Sequence, residues 1–375
     1  TGYATQAPNG AWIGHFPKQP RGYHVKRGFD TRASAEAWCD SLLERQTKKE
    51  DIGKGQQRVG AWMDLWKKRE AKDRDWKAKT VADVEWKLGY VKPHIGGMAL
   101  ADVLPDDVDA IWDALRESLA ENTVRQIRNY LFQVFESARE RHYITYNPVI
   151  KPGRRKRAKQ KEAVRLSVPQ AALLIRTCEE SFYHLAWWLI LTLGFRAGEL
   201  CGLRWGDVDL ENCVIHVLQQ YTDVRGTATQ DLPKNDKQRH VAFARGLVPL
   251  FAEHKKAYLR RAAQGLQKGY WQNNDLVFPG RGGRPMNTTS LRHQLKSLTD
   301  KVKLPPVTTH MVRHTAAKFY TDIGAEHMMT KAILGHTPDI TGHYAPPSPD
   351  AMRPWTEKVY QQLSGEVEKQ RRATG

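Results

Sequence analysis

Negative charge is in short supply in this chain. Its 41 Asp and Glu face 59 Lys and Arg, which leaves a net charge of +18 and a pI near 9.7. Such an excess implies a polyanionic partner, with nucleic acid ahead of an anionic membrane surface. Cysteine is scarce too: Cys39, Cys178, Cys201 and Cys213 show neither metal-ligand nor disulfide spacing, which excludes a zinc ribbon or a disulfide scaffold and fits reduced thiols in packed positions. Long hydrophobic runs are missing. The longest, Leu185 to Phe195, is too short to span a bilayer, and no signal peptide is visible, so the reading is a soluble intracellular protein. The chain begins at Thr1 rather than Met, and an initiator or short leader is expected to be missing from this numbering. Low aromatic content, the mark of a disordered basic tail, is not found: there are 12 Trp and 13 Tyr in 375 residues, enough chain for two or three domains with cores of their own.

What is present divides along the chain. Trp12 to Phe16 and Tyr23 to Phe29 read as strands around a turn with Pro17, Pro20 and Gly22, and TRASAEAWCDSLLERQ reads as a helix with Ala35, Trp38, Leu42 and Arg45 along one face. This small basic unit carries Lys18, Arg21, Lys26, Arg27 and Arg32. Asp51 to Gln57 has the composition of a linker. From Arg58 to Pro148 four helices are expected, the second capped by Thr80, the third opening at Pro105, and the last with Val124, Ile127, Leu131, Val134, Phe135 and Ala138 at helical spacing. Arg125, Arg128 and Arg139 fall off that buried stripe and suit phosphate contacts. A strongly basic run follows, with Arg154, Arg155, Lys156 and Arg157 at its centre. Between two binding domains such a run serves as a strap along a duplex, adding salt-dependent affinity that is blind to sequence. The expected boundaries are 1–52, 58–150, 151–165 and 166–375.

In the last segment Ser167 caps a helix, YHLAWWLILTLGF forms an apolar helix central to the core, Asn212 to Thr222 and Gln238 to Phe243 alternate like strands, and RGTATQDLPKNDK between them reads as one long hairpin connection. Further helices are expected at Val248 to Gln267 and Thr288 to Lys303, with a loop presenting Arg281 and Arg284 between them, and a last helix after PPSPD whose docking, in cis or on a neighbouring protomer, stays open. The chemistry gathers in Thr308 to Tyr344. Thr308 or Thr309 caps a helix that puts His310 and Arg313 on one side, Gly324 stops it, and a second helix closes at Gly335 just before His336, with Tyr344 a short loop further on. Arginine offers a planar fork to two phosphate oxygens, histidine offers single directed donors, and tyrosine is a candidate nucleophile.

On these residues the chain resembles the tyrosine recombinases of the phage-integrase type. His310-x-x-Arg313, then Leu334-Gly335-His336, then Tyr344 matches the second signature box of that family, with a histidine-to-tyrosine gap one residue shorter than in many relatives, so a tighter loop is expected. Gly194, Arg196, Glu199, Leu203, Trp205 and Asp207 match the first box, G-x-R-x-x-E-x-x-x-L-x-W-x-D. The resemblance implies a mainly α, α+β, multidomain fold: a sheet-plus-helix N-terminal domain for arm-type DNA, a four-helix domain for core-type DNA, and a mixed α/β catalytic domain.

It also implies roles. Tyr344 attacks the scissile phosphodiester to give a 3′-phosphotyrosine, Arg196 and Arg313 balance the developing charge, His310 and His336 donate hydrogen bonds or carry the proton, Lys234 protonates the leaving oxygen, with Lys237 the competing lysine, and Glu199 orients Arg196. No cofactor is implied, neither ATP nor metal. The implied partners are double-stranded DNA with core-type and arm-type sites, a homotetramer on DNA, a host DNA-bending protein and an excision directionality factor, in the cytoplasm of a bacterial host. Two rival readings are a type IB topoisomerase and a non-catalytic DNA-binding regulator.

Overall fold

The structure is a computed structural model, and it describes residues 2–17, 23–47, 56–150, 164–232, 238–335 and 346–374. The chain divides into two compact units, Thr1–Lys156 and Arg157–Gly375. The described residues form an α+β protein with more helix than sheet.

The first unit opens with an antiparallel sheet, order β1-β2-β3, of β1 (Tyr3–Gln6), β2 (Trp12–Pro17) and β3 (Tyr23–Phe29). The sequence reading missed β1, a short polar strand with no apolar alternation to betray it. Helix α1 (Arg32–Thr47) covers one face of the sheet, and Phe16, Trp38, Cys39 and Leu42 are its core. The helix sits close enough that a Cβ at Gly14 would lie 2.5 Å from the Trp38 ring, so glycine is needed there.

Four helices and a short turn then enclose a second core: α2 (Val59–Asp73), α3 (Ala78–Gly89), α4 (Lys92–Ile95), α5 (Pro105–Ser118) and α6 (Glu121–Glu140). The spacing read in α6 holds, since Val124, Ile127, Leu131, Val134, Phe135 and Ala138 are all buried. Trp62 on α2 donates its indole N–H to the Val134 carbonyl at 2.9 Å, locking the two helices together. Thr80 is not a cap: α3 starts at Ala78, with Lys77 as its N-cap residue. The earlier start is consistent with tertiary packing overriding a local cap preference.

The second unit is built around α8. It contains α7 (Val168–Thr177), α8 (His184–Leu193), α9 (Ala197–Gly202), β4 (Val208–Asp209), β5 (Val214–Val217), β6 (Gln220–Val224), β7 (Thr227–Asp231) and β8 (Arg239–Ala242), then α10 (Val248–Gln267), α11 (Thr288–Lys301), α12 (Thr309–Asp322), α13 (His327–Leu334) and α14 (Pro349–Thr374). Leu185 through Leu193 are buried without a break. A helix apolar all round has to be enclosed on every side, and truncating one of these side chains to alanine costs about 2–5 kcal/mol.

Two sequence expectations need correcting here. The stretch Asn212 to Thr222 is two strands in two sheets: β5 pairs with β4 and β8, and β6 pairs with β7. The supposed long connection therefore contains a strand of its own. Arg225 and Gly226, with φ of 52° and 83°, turn the chain as two-residue hairpins require, and Thr227–Asp231, mostly polar, returns as a half-buried strand. The last helix also starts earlier than expected, at Pro349.

In the structure α14 packs against its own chain. Met352, Val359, Leu363 and Val367 belong to the same buried cluster as α8. The Tyr360 hydroxyl donates to the Gly246 carbonyl at 3.0 Å, and Arg371 pairs with Glu179 at 2.8 Å.

Candidate active site

Three arginines surround one buried carboxylate. Arg196 stands at the junction of α8 and α9. Gly194 ends α8 in the left-handed region, φ 62°, and Arg196 is the extended N-cap residue of α9. A buried hydrophobic helix thus stops abruptly and hands over a rigidly placed arginine. One turn on, Glu199 is 1% exposed. Its Oε1 accepts from Arg196 Nη1 at 2.7 Å, and its Oε2 accepts from the Arg196 main-chain N–H at 2.9 Å.

Arg313 arrives on α12, which the Thr308 hydroxyl caps by accepting from the Met311 N–H. Its side chain is 2% exposed. Its Nη1 donates to the Gly194 carbonyl and its Nη2 to the Leu334 carbonyl at 2.6 Å, and Nη1 lies 4.0 Å from Glu199. Gly335, φ 68°, closes α13 and accepts from Arg196 Nη2 at 2.9 Å. The two helix-ending glycines are packed against this arrangement: a Cβ on Gly194 would lie 2.0 Å from Leu334 Cδ2, and one on Gly335 would lie 2.6 Å from Arg239 Nη1.

The third arginine was not foreseen. Arg239 opens β8 and donates from Nη1 to Oε1 and from Nη2 to Oε2 of Glu199, both at 2.9 Å. The sequence signal for it was faint: one basic residue ahead of the apolar run Val241, Ala242, Phe243, forty positions from the carboxylate it holds.

Burial alone would raise the Glu199 pKa, but the charge and hydrogen bonds of Arg239, then those of Arg196, hold it down to about 2. Arg313 is pulled down to about 9 by burial first and by the charge of Arg196 next, against the pull of Glu199. A carboxylate depressed in the folded state stabilises the fold above its ordinary pKa, and that stabilisation is lost as pH falls through the folded value. Glu199→Gln is accordingly expected to cost about 3–5 kcal/mol near neutral pH, since it strands buried guanidinium charge. The deficit relative to the parent should shrink as pH is lowered from 4.5 toward 2. Urea melts at several pH values measure it, and a deficit that does not change with pH over that window would refute the electrostatic account.

His310 is exposed, one position inside α12, with its ring 4.5 Å from that of His314. His310 and Arg313 both lie on α12; against the expectation of one shared side, the histidine is exposed and the arginine is buried. Lys234, Lys237, His336 and Tyr344 lie outside the described residues, as do Lys18, Arg21, Arg154, Arg155, Lys156 and Arg157. Of the remaining candidate DNA contacts, Arg27 lies on the open face of the sheet with Tyr23 and Val25, whereas Lys26 turns the other way and pairs with Asp102 at 2.9 Å. Arg125 lines a cleft of about 330 Å³ with Asn122, Gln126, Asn129 and Tyr130. Arg128 donates to the Ile150 carbonyl at 3.0 Å and lies over the Trp112 ring, and Arg139 is tied to Glu136 at 2.7 Å. Among the described residues no group of three or more His, Cys, Asp or Glu could hold a metal ion, and no helix is long and apolar enough to cross a membrane.

Known proteins share this architecture. Residues 164–349 match the phage integrase family, and residues 60–152 match the phage integrase central domain. A tyrosine recombinase XerC-like protein of Caldanaerobacter subterraneus subsp. tengcongensis is 23% identical over 66% of this chain and 68% of its own length. Tyrosine recombinase XerC of Bacillus subtilis is 27% identical, over 40% of this chain and 43% of its own length, so the chain spans less than half of that relative. Among solved structures, the Tn1549 transposon integrase in complex with a circular intermediate DNA has a TM-score of 0.61 at 19% identity, covering 75% of this chain and 92% of its own. A lambda integrase tetramer bound to a Holliday junction has a TM-score of 0.58 at 17% identity, covering 91% and 97%. With both signature boxes present, and with Arg196, Glu199 and Arg313 brought together around the ends of α8 and α13, the chain belongs to the phage integrase family of tyrosine recombinases, enzymes that cleave and rejoin DNA at specific sites.

Proposed function

We propose that this chain is an integrase that joins a mobile DNA, in the first instance a bacteriophage genome, to attachment sites of its bacterial host, acting as a homotetramer on DNA in the cytoplasm. Tyr344 attacks the scissile phosphodiester and becomes a 3′-phosphotyrosine, leaving a free 5′-hydroxyl. That hydroxyl then attacks the phosphotyrosine of the partner duplex, so bond energy is conserved and neither ATP nor a metal is called for. Arg196 and Arg313 face the charge that builds on the pentacoordinate phosphorus, His310 and His336 supply directed hydrogen bonds, and Lys234 delivers the proton to the leaving oxygen. The observation that carries the reading is the arginine cluster: preorganised positive charge, fixed by main-chain carbonyls and one carboxylate, with an exposed histidine on the helix that supplies Arg313. The test is a trap. A nicked duplex that loses its short end after cleavage is expected to leave protein covalently attached, and sequencing the trapped DNA identifies the site. Binding without any adduct would return the chain to the class of non-catalytic DNA-binding regulators.

The finer assignment is that the N-terminal unit takes a separate arm-type site while the helical segment, with Arg125, takes the core-type site. A host DNA-bending protein and a directionality factor would complete the assembly. In support, the sheet is covered by α1 on one face only. The other carries Tyr3, Thr5, Ile13, His15, Tyr23, Val25 and Arg27 in register across three strands, a composition suited to a β-ribbon reader of a groove. A fragment starting near Gln57 is expected to bind and cleave core sites yet fail to integrate a full attachment site. Footprints identical to those of the intact protein on every DNA would sink the two-site reading.

A further inference from the structure

We propose that Arg239 is a positioning residue for strand cleavage: by saturating Glu199 it fixes the direction of Arg196 and leaves that guanidinium its positive charge for the scissile phosphate. The inference rests on the recombinase reading and adds a residue to it.

Glu199 has two oxygens and roughly four acceptor positions. All four are used, two by Arg196 through its Nη1 and its main-chain N–H, and two by the fork of Arg239. With Arg239 removed, the two remaining guanidiniums and the carboxylate would sum to +1, and the carboxylate could rotate to take more of the Arg196 fork. With Arg239 in place, the three guanidiniums and one carboxylate sum to +2, and Arg196, whose Nη2 also donates to the Gly335 carbonyl, is held at one angle.

Exposure separates the two arginines. The Arg196 side chain is 23% exposed and that of Arg239 is 10%, so the first can meet a phosphate and the second is mostly covered. Arg239 is also held on both flanks. Its guanidinium carbon is 5.6 Å from the centroid of the Phe195 ring, and Gly335 presses on the guanidinium closely enough that an added Cβ would lie 2.6–2.7 Å from it. Among the described residues its Nε is buried with no hydrogen-bond partner. The cost of that unmet donor is offset by the bidentate contact, a strong and directional one. Geometry of this kind is what a static brace needs.

The experiment is single-turnover cleavage of a nicked core-site duplex by the full chain, run as a double-mutant cycle. Arg239→Met is expected to slow cleavage by about 10–100-fold, the loss that a misplaced catalytic group of order 1 Å brings, while DNA affinity changes by less than about threefold. If Arg239 acts by occupying Glu199, removing the carboxylate must relieve the defect, so Arg239→Met with Glu199→Gln should cleave faster than Arg239→Met alone. Arg239→Lys keeps the charge and loses the fork. It is expected to fall between parent and Arg239→Met, and it carries the same cycle should the methionine variant fail to fold. A double variant as slow as the product of the two single losses, or a single variant at the parental rate, overturns the proposal. The two readings fail separately: no adduct from the parent protein defeats the recombinase reading, whereas a normal adduct from Arg239→Met defeats only this one.

Discussion

Tyr344→Phe is expected to bind DNA normally and to form no covalent adduct at all. Phenylalanine keeps the ring and deletes the only oxygen that can become the phosphoester, so the effect is a loss rather than a slowing. The competing tyrosine is Tyr360, the only one after Tyr344. The structure gives reasons to discount it. Its hydroxyl is engaged with the Gly246 carbonyl, its ring packs 5.3 Å from that of Trp188, and burial, then the charge of Glu357, push its pKa up. A nucleophile needs the opposite, an accessible phenol beside positive charge that favours the phenolate. Mass spectrometry of the peptide left on the DNA decides the point. An adduct that survives in Tyr344→Phe, or that maps to Tyr360, would show that the short spacing after His336 was misread.

Lys234→Ala should be slower than the parent by roughly two to four orders of magnitude, the range for loss of a positioned general acid. The departing 5′-oxygen leaves poorly as an alkoxide near neutral pH, and arginine holds its protons too tightly to serve. Replacing that bridging oxygen with sulfur removes the requirement, because a thiolate leaves unaided. Lys234→Ala is therefore expected to recover nearly full cleavage on the sulfur-bridged strand, while Arg196→Ala stays slow on both strands. Recovery by Lys237→Ala instead would move the assignment three positions along the chain. Recovery by neither would pass the role to His310.

Much of this was legible because it was local. The helix stop at Gly335, the cap at Ser167, the cap at Thr308 out of two candidate threonines, and the stripe of α6 are decided by residues within a few positions of one another, and each is where the sequence put it, whereas the helix read through Phe195 stops two residues sooner, at Leu193. The arginines of the two boxes could be named for the same reason: their spacing is fixed within single turns. What failed to show was the long-range partner. Nothing near Arg239 announces Glu199, nothing in Lys26 announces Asp102, and a mostly polar strand such as β7 lacks the apolar alternation that marks a strand with a buried face. The docking of α14 was open in the sequence because an amphipathic stripe says that a helix is covered and not by which copy. In the structure Val359 and Leu363 are fully buried with residues of α8 of the same chain.

The seat of Arg313 has a consequence for anyone redesigning this protein. Its hydrogen-bond acceptors are the carbonyls of Gly194 and Leu334, and a carbonyl is present whatever residue is encoded. Random mutagenesis cannot delete those acceptors; it can only reroute the backbone that presents them. Heritable control of this seat is thereby concentrated in the two codons for Gly194 and Gly335, where any side chain meets both a left-handed φ and an occupied space. A library meant to redesign the protein should hold those two codons constant.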